Sequence, residues 1–500
     1  MLCMLAGCTS APPTPPGCVT VGLDTAPLTL DPRFATDATA EQIGSLLFDG
    51  LTRLDDQARR VPQLATSWDM PDAQTYVFHL RAGFRFPNGQ ALTAADVKAT
   101  YDSVRNPRAR SAKQAALEPI DGIDVLDALT VRFRLRYPFS PLLNETGLGI
   151  LSARQIAASP TTPLPQPAGS GPFRLALVTD DRVVIVRNAD YPSQPPRLAG
   201  VVFAIVPDAV TRLLELKRGT LDLVQNGVDP DSLEWVRHQP TLQLLTSPST
   251  TFHYLGMNLR DPVLADVRVR QALAYAIDRD AIVDTILKGL AIPATGLLPP
   301  SHWAYSASVP TYEYNPKRAA ELLDDAGYVD PDGDGPAPRL RLSYKTTTIE
   351  LRRRIAEVLQ AQLANVGVAL DVRSYEWATF YNDIKQGNFQ LYSLSWVGIE
   401  DPDIYYLTCH SSQVPPLGSN RGAFREATID QLTEAARRSV DVDERRRLYA
   451  EVQHRVAQLL PVIPLWWPTN VAAVNRRLHG FEPRPNASYA SLVDAWVEEH

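Results

Sequence analysis

Three carboxylates crowd the stretch Trp396-Val397-Gly398-Ile399-Glu400-Asp401-Pro402-Asp403. A carboxylate accepts hydrogen bonds from an ammonium group or from hydroxyls, and an aromatic ring offers area for an apolar part of the same molecule. Trp396, Gly398, Glu400 and Asp401 are therefore candidate ligand-binding residues: a platform, a flexible joint and two acceptors. The bland alternative is that Asp401-Pro402-Asp403 is an ordinary turn and Trp396 is core. Two further candidates are Tyr254, in TFHYLGMNL (251–259), and Trp466, in Pro464-Leu465-Trp466-Trp467. Core packing accounts for those two equally well.

Little else in the chain offers chemistry. No G-x-S-x-G, H-E-x-x-H, G-x-x-x-x-G-K-[ST] or G-x-G-x-x-G motif occurs. The eight histidines are scattered, with no pair at metal-ligand spacing. Cys409 and His410 are adjacent, which does not suit a shared metal ion, and as a catalytic Cys–His pair the signal has very low specificity. DPDGDG (330–335) has the look of a calcium loop, but Arg341 stands where an EF-hand needs its glutamate. A surface turn is expected there. No catalytic residue, metal site or cofactor is predicted.

The acids of 400–403 must be held by the elements before them. FQLYSLSW (389–396) reads as a strand, so the loop leaves its carboxyl end, where ligands of α/β sheets bind. Around it, LRLSYK (340–345) and VALDVRSY (368–375) read as strands, and 349–367 and 377–387 as helices. Residues 266–289 form an amphipathic helix or helix pair. Residues 314–327 have Asn315 at the N-cap, Pro316 at the first turn and Gly327 past the end. A helix at 441–460 precedes PVIPLWW (461–467).

In the first half, CVTVGL (18–23) is a strand, and Ile43, Leu46, Leu47 and Leu51 recur at helical spacing. TYVFHL (75–80) and LTVRFRL (129–135) alternate as strands, and Thr93-x-x-Asp96 resembles a capping box. FRLALVTDDRVVIVRN (173–188) is a hairpin. VVFAIV (201–206), a helix at 208–219 and LDLV (221–224) predict a right-handed crossover and a parallel pair. The Pro-rich loop 159–173 marks a lobe boundary. The fold class is α/β with mixed sheets.

Composition sets the outer bounds. The chain has 500 residues, a net charge of −7, 45% hydrophobic and 21% charged residues. That length exceeds what one core of about 250–300 residues holds, so two or three lobes are expected. The acidic balance argues against a nucleic-acid partner. No apolar run reaches the roughly 20 residues that cross a bilayer.

Of four cysteines, Cys18 and Cys409 read as unpaired thiols, while Cys3 and Cys8 lie at the start. Leu5-Ala6-Gly7-Cys8 spells a lipobox, and the Pro-rich TSAPPTPPG (9–17) suits an extended tether. Lipidation at Cys8 is expected, with membrane contact by that anchor only. Seven residues precede Cys8 and none is Lys or Arg, so an in-frame upstream start is predicted.

Taken in order, LDPRFATDATAEQIGSLLFDGL, PQLATSWDMPDAQTYVFHLRAGFRFPNGQALTAADVKATYDSV, GSGPFRL, YLGMNL, DVRVRQALAYAIDRDAIVD and YNPKRAAELLDDAGY resemble the family 5 extracellular solute-binding proteins of bacterial ABC transporters. The resemblance runs from about Cys18 to the C-terminus. It implies a type II periplasmic-binding-protein-like fold, two lobes joined by a hinge, plus an inserted domain. Domain I would combine 18–48, 168–258 and 470–500; domain II would be 49–167 and domain III 259–469, after a signal and tether at 1–17.

It further implies a monomer, periplasmic or at the cell surface, that closes on a small ligand and delivers it to permease subunits in the membrane. Cargo in the family includes peptides, nickel complexes, haem, opines and oligosaccharides. A dipeptide or oligopeptide is the default here, with an oligosaccharide, opine or metal complex, or a sensor without transport, as alternatives. In peptide-binding members an aspartate in a W-x-G-D-x-x-D-P loop pairs with the peptide's α-ammonium. Here Ile399 follows Gly398 and the loop looks one residue shorter. Glu400 or Asp401 is left to supply the acid, and a cleft-facing isoleucine would suit a more apolar or sugar-like cargo. For a nickel cargo, only His253 sits in a suitable stretch.

Overall fold

A computed structural model of the chain describes residues 16–333, 335–416 and 418–498. The lipobox, Cys8 and the tether up to residue 15 lie outside the described residues. One large mixed sheet runs through both lobes. At its centre, the 14-residue strand Val462–Asn475 pairs antiparallel with Phe252–Met257 through its first half. Its second half pairs with Leu223–Gln225 and Leu242–Pro248.

Outward on one side lie Leu391–Trp396, antiparallel to Phe252–Met257, and then the parallel strands Leu340–Thr347 and Val368–Tyr375. On the other side, Cys18–Leu23 runs parallel to both Leu223–Gln225 and Gly200–Ile205, and the hairpin Phe173–Val178/Arg182–Arg187 closes the edge.

The chain crosses between half-sheets twice, at 249–251 and near 468–470. Asn470 ties the crossings to the C-terminal segment: its Nδ2 donates to Arg484 O at 2.8 Å and Pro485 O at 3.0 Å, and it reaches Pro248 O at 3.4 Å. Thr250 N donates to Pro485 O at 3.0 Å.

Two sequence expectations change here. The strand Phe252–Met257 was assigned with domain I, up to residue 258; its hydrogen bonds place it in the half-sheet of 259–469. Its buried Leu255 and Met257 pack into that lobe's core with Leu273 and Leu391. And 200–205 and 223–225 are parallel but not adjacent, because Cys18–Leu23 is inserted between them. Local alternation reveals a strand but not which neighbour takes its edge.

The insertion has its own core. A four-stranded antiparallel sheet, in the order Ala65–Asp72, Thr75–Leu80, Thr130–Leu135, Ile120–Asp127, is covered by helix Ala94–Arg105. Tyr76, Phe78, Tyr101 and Phe133 fill the space between them. The helix opens at Thr93, whose backbone N–H and hydroxyl both donate to Asp96 Oδ2, at 2.9 and 3.0 Å.

In the third segment the sequence 266–289 forms a helix pair, Val267–Tyr275 and Arg279–Thr285, each N-capped by an aspartate, Asp266 and Asp278. Asn315 caps Pro316–Asp325 through Arg318 N at 2.9 Å. Residues 330–333 form an exposed turn in which Asp330 Oδ1 accepts from Asp332 N.

Candidate functional site

Strand Leu391–Trp396 delivers the loop 397–400 to the line where the lobes and the insertion meet. Gly398 has φ +67°, a left-handed conformation that strains any side chain with a Cβ. Val397 beside it is 70% exposed. Ile399 N then donates to Thr250 O at 3.1 Å, fastening the loop to a hinge crossing. The Ile399 side chain is only 4% exposed and packs with Phe252 and Tyr405; what it shows the cleft is slight.

Glu400 is the residue this arrangement presents. Three chambers, of about 510, 450 and 460 Å³, meet at Glu400 and Ser45, which line all three; the insertion walls the first two, and the third lies between the lobes alone. Glu400 Oε2 accepts from Arg60 Nη2 at 2.8 Å, an ion pair that spans from the loop to the insertion. Enclosure among protein atoms raises the Glu400 carboxyl above the usual range, and Arg60 opposes the rise. The Arg60 side chain is 10% exposed, and its Nε has no hydrogen-bond partner among the described residues.

The remaining wall comes from helix Ala38–Leu47, N-capped by Asp37, which accepts from Ala40 N at 2.8 Å. Its apolar face buries Ile43, Leu46 and Leu47, which turns Glu41 and Ser45 to the chambers. Together the three chambers carry eight acidic and five basic side chains. Three of the bases are already spoken for, Arg60 by Glu400, Lys113 by Glu41 at 3.4 Å and Arg484 by Asp56 at 2.9 Å. Asp49 is fully buried and accepts from Gln63 Nε2, Tyr191 Oη and Ser170 Oγ, and burial without a cation pushes its carboxyl up to about 6. Acidic side chains therefore outnumber basic ones around the three chambers.

The other sequence candidates are placed elsewhere. Asp401 lines none of these chambers: Arg445 Nη2 reaches both its oxygens, at 2.9 and 3.1 Å, and its Oδ1 also accepts from Asp403 N. Asp403 is held by Arg437 Nε at 3.1 Å and Tyr449 Oη at 3.3 Å. Trp396 lies under the Arg421 guanidinium, 4.6 Å from its ring centre, and with the buried Tyr254 it borders a narrow cavity of about 20 Å³. Arg421 Nη1 donates to Tyr254 Oη at 2.9 Å.

Trp466 is 3% exposed and belongs to the core of its lobe, with His253 stacked on it at 5.9 Å. Burial pushes His253 down to about 4. Among the described residues no group of three or more ligating side chains could hold a metal ion. Cys18 and Cys409 are free thiols, and burial pushes Cys409 up to about 12.

Sequence reasoning missed Ser45, Arg60, Asp49 and Glu145. For Glu41 and Ser45 a signal existed: they stand four apart on the polar stripe of a helix whose other face is strongly apolar. Arg60 and Glu145 come from the insertion and meet Glu400 only through the tertiary fold.

The description "Bacterial extracellular solute-binding proteins, family 5 Middle" fits residues 59–415 of the chain. The dipeptide-binding protein of Escherichia coli (strain K12) is 29% identical over 454 residues, 85% of this chain and 84% of that protein. Heme-binding protein A of Haemophilus influenzae is 29% identical over 471 residues, 87% of this chain and 84% of that one. The structure of the oligopeptide-binding protein AppA from Bacillus subtilis, in complex with a nonapeptide, superposes with a TM-score of 0.80 at 25% identity, covering 96% of this chain and 99% of that one. The fold is the two-lobed, type II binding-protein fold with mixed sheets.

Proposed function

The chain belongs to the bacterial extracellular solute-binding proteins of family 5, and from that membership we propose that it captures a peptide between its lobes and delivers it to the permease of an ABC importer. The observation that carries this reading is Glu400, set at the junction of three chambers and paired with Arg60 of the insertion. A peptide's α-ammonium is a cation able to compete for that carboxylate. Chambers of this size accept small ligands or single side chains, and their branching suits a chain with several substituents. The names of the dipeptide- and oligopeptide-binding relatives point the same way.

Capture proceeds by closure. The chain passes between the lobes only at 249–251 and 468–470, so they rotate as bodies about those segments. Cargo that touches both lobes at once binds the closed form better and shifts the population toward it. The protein makes and breaks no bond in its cargo. It acts as a monomer, held at the membrane by a lipid on Cys8; a mature N-terminal peptide starting at an unmodified residue other than Cys8 would remove that anchor.

Calorimetric titration of the full chain with di- to pentapeptides tests the cargo. Peptides with a free amino terminus should bind, and Glu400→Gln should weaken them by about 30-fold or more, the scale for losing one partner of a charge pair that the bound peptide buries. Equal binding of N-acetylated peptides, or binding of sugars with no peptide bound, would overturn the reading.

A further inference from the structure

The chamber between helix Ala38–Leu47 and the insertion has one charge left over when its ion pairs are counted. Its ionisable walls are Glu41, Arg60, Lys113, Glu145 and Glu400. Lys113 stands against Glu41 and Arg60 against Glu400. Glu145, the last residue of the short helix Leu142–Glu145, accepts from Tyr101 Oη through its backbone carbonyl. Its carboxylate has neither a hydrogen bond nor an ion pair among the described residues.

Burial pushes that carboxyl up to about 7, with Arg60 and Lys113 working against the rise and Glu400 and Glu41 adding to it. The rest of the wall is largely apolar, with Leu30, Pro32, Ala35, Phe48, Leu117 and Leu148. The chamber is about 450 Å³ and shares Ser45 and Glu400 with the other two, so it is a side branch of one cleft.

Apolar flanks and one unpaired acid match a side chain with an aliphatic stem and a cationic tip. A neutral apolar side chain would fill the flanks but leave Glu145 enclosed without a partner, and an acidic one would add a like charge. We propose that this chamber is a side-chain subsite for lysine or arginine in the cargo, with Glu145 as the residue that selects the positive charge. The proposal rests on the peptide reading above and narrows it to basic peptides.

The test compares tri-alanine with its singly substituted relatives carrying lysine, norleucine or glutamate at each position in turn, titrated calorimetrically into the full chain. Norleucine keeps the stem and lacks the ammonium. At one position at least, lysine should bind about tenfold or more tighter than norleucine, the scale of one charge-assisted contact, and glutamate weakest. Near pH 6.5, lysine-peptide binding should release protons as Glu145 ionises, seen as a heat that varies with the buffer's ionisation enthalpy. Glu145→Gln should bring lysine and norleucine within about twofold and abolish the proton release; its thermal midpoint checks the fold.

Lysine and norleucine binding alike at every position, or a lysine preference that survives in Glu145→Gln, overturns the subsite. In that case tri-alanine still binds and the peptide reading stands. If no tripeptide and no longer peptide binds, both fall together.

Discussion

Glu400 and Asp401 are chain neighbours whose cations come from opposite directions. Arg60 reaches Glu400 from the insertion, across the cleft. Arg445 reaches Asp401 from helix Val442–Leu459, within the same lobe. The Glu400 side chain is 41% exposed and that of Asp401 11%. A pair made within one lobe survives any motion between lobes, and a pair made across the cleft must part when the cleft opens. Identical chemistry one residue apart therefore ties together one lobe in one case and bridges the third lobe and the insertion in the other.

The largest effect that could break this contrast is at Arg445. Its removal leaves Asp401 enclosed and unpaired, and Arg445→Ala should cost about 3–5 kcal/mol of unfolding free energy, measured by urea titration. Cargo affinity lost at unchanged stability would place Asp401 on the functional side instead. Next comes His302, 4% exposed and close to both Asp401 and Arg445.

Burial pushes His302 down to about 4, so between pH 6.5 and 4 the unfolded chain takes up a proton that the folded chain refuses. Its stabilising share is intact above pH 6.5 and is lost as pH falls, on the order of 3 kcal/mol by pH 4. His302→Gln should lose stability less steeply than the parent over that window; parallel curves would show that the histidine is not enclosed as described. The smallest effect is at Glu400. As half of a partly exposed pair, Glu400→Gln should shift unfolding free energy by less than about 1 kcal/mol, within what such pairs contribute. A loss of 3 kcal/mol or more would make the two acids alike after all.

The sequence was legible where local rules decide. Asn315-Pro316 and Gly327 frame a helix because a cap, a fixed φ and a left-handed residue are local requirements. Glu400 was reachable because a loop after a strand's carboxyl end has few places to go. Asp401 was not separable from it, since nothing in E-D-P-D tells which acid meets Arg445, 44 residues on.

The long strand Val462–Asn475 was not legible as a strand, and PVIPLWW (461–467) stood out only as an apolar, aromatic run. Pro464 and Pro468 interrupt the donors that mark a strand, and the ladder tolerates them because partners change along its length, from 252–257 to 291–293 and 242–248. Which lobe takes 252–257 was not legible, since that depends on which sheet edge is free.

That central strand also fixes an order of events in time. Residues 223–225 and 252–257 emerge from the ribosome early, yet the strand that separates them in the sheet is among the last pieces made. Until it arrives, each half-sheet has an open edge and neither can be joined to the other. Contacts this distant in sequence form slowly, because the long loop must be closed before pairing repays it. Completion of the sheet is therefore a late step that waits for nearly the whole chain, and a chain stopped short of Val462 keeps two unfinished halves.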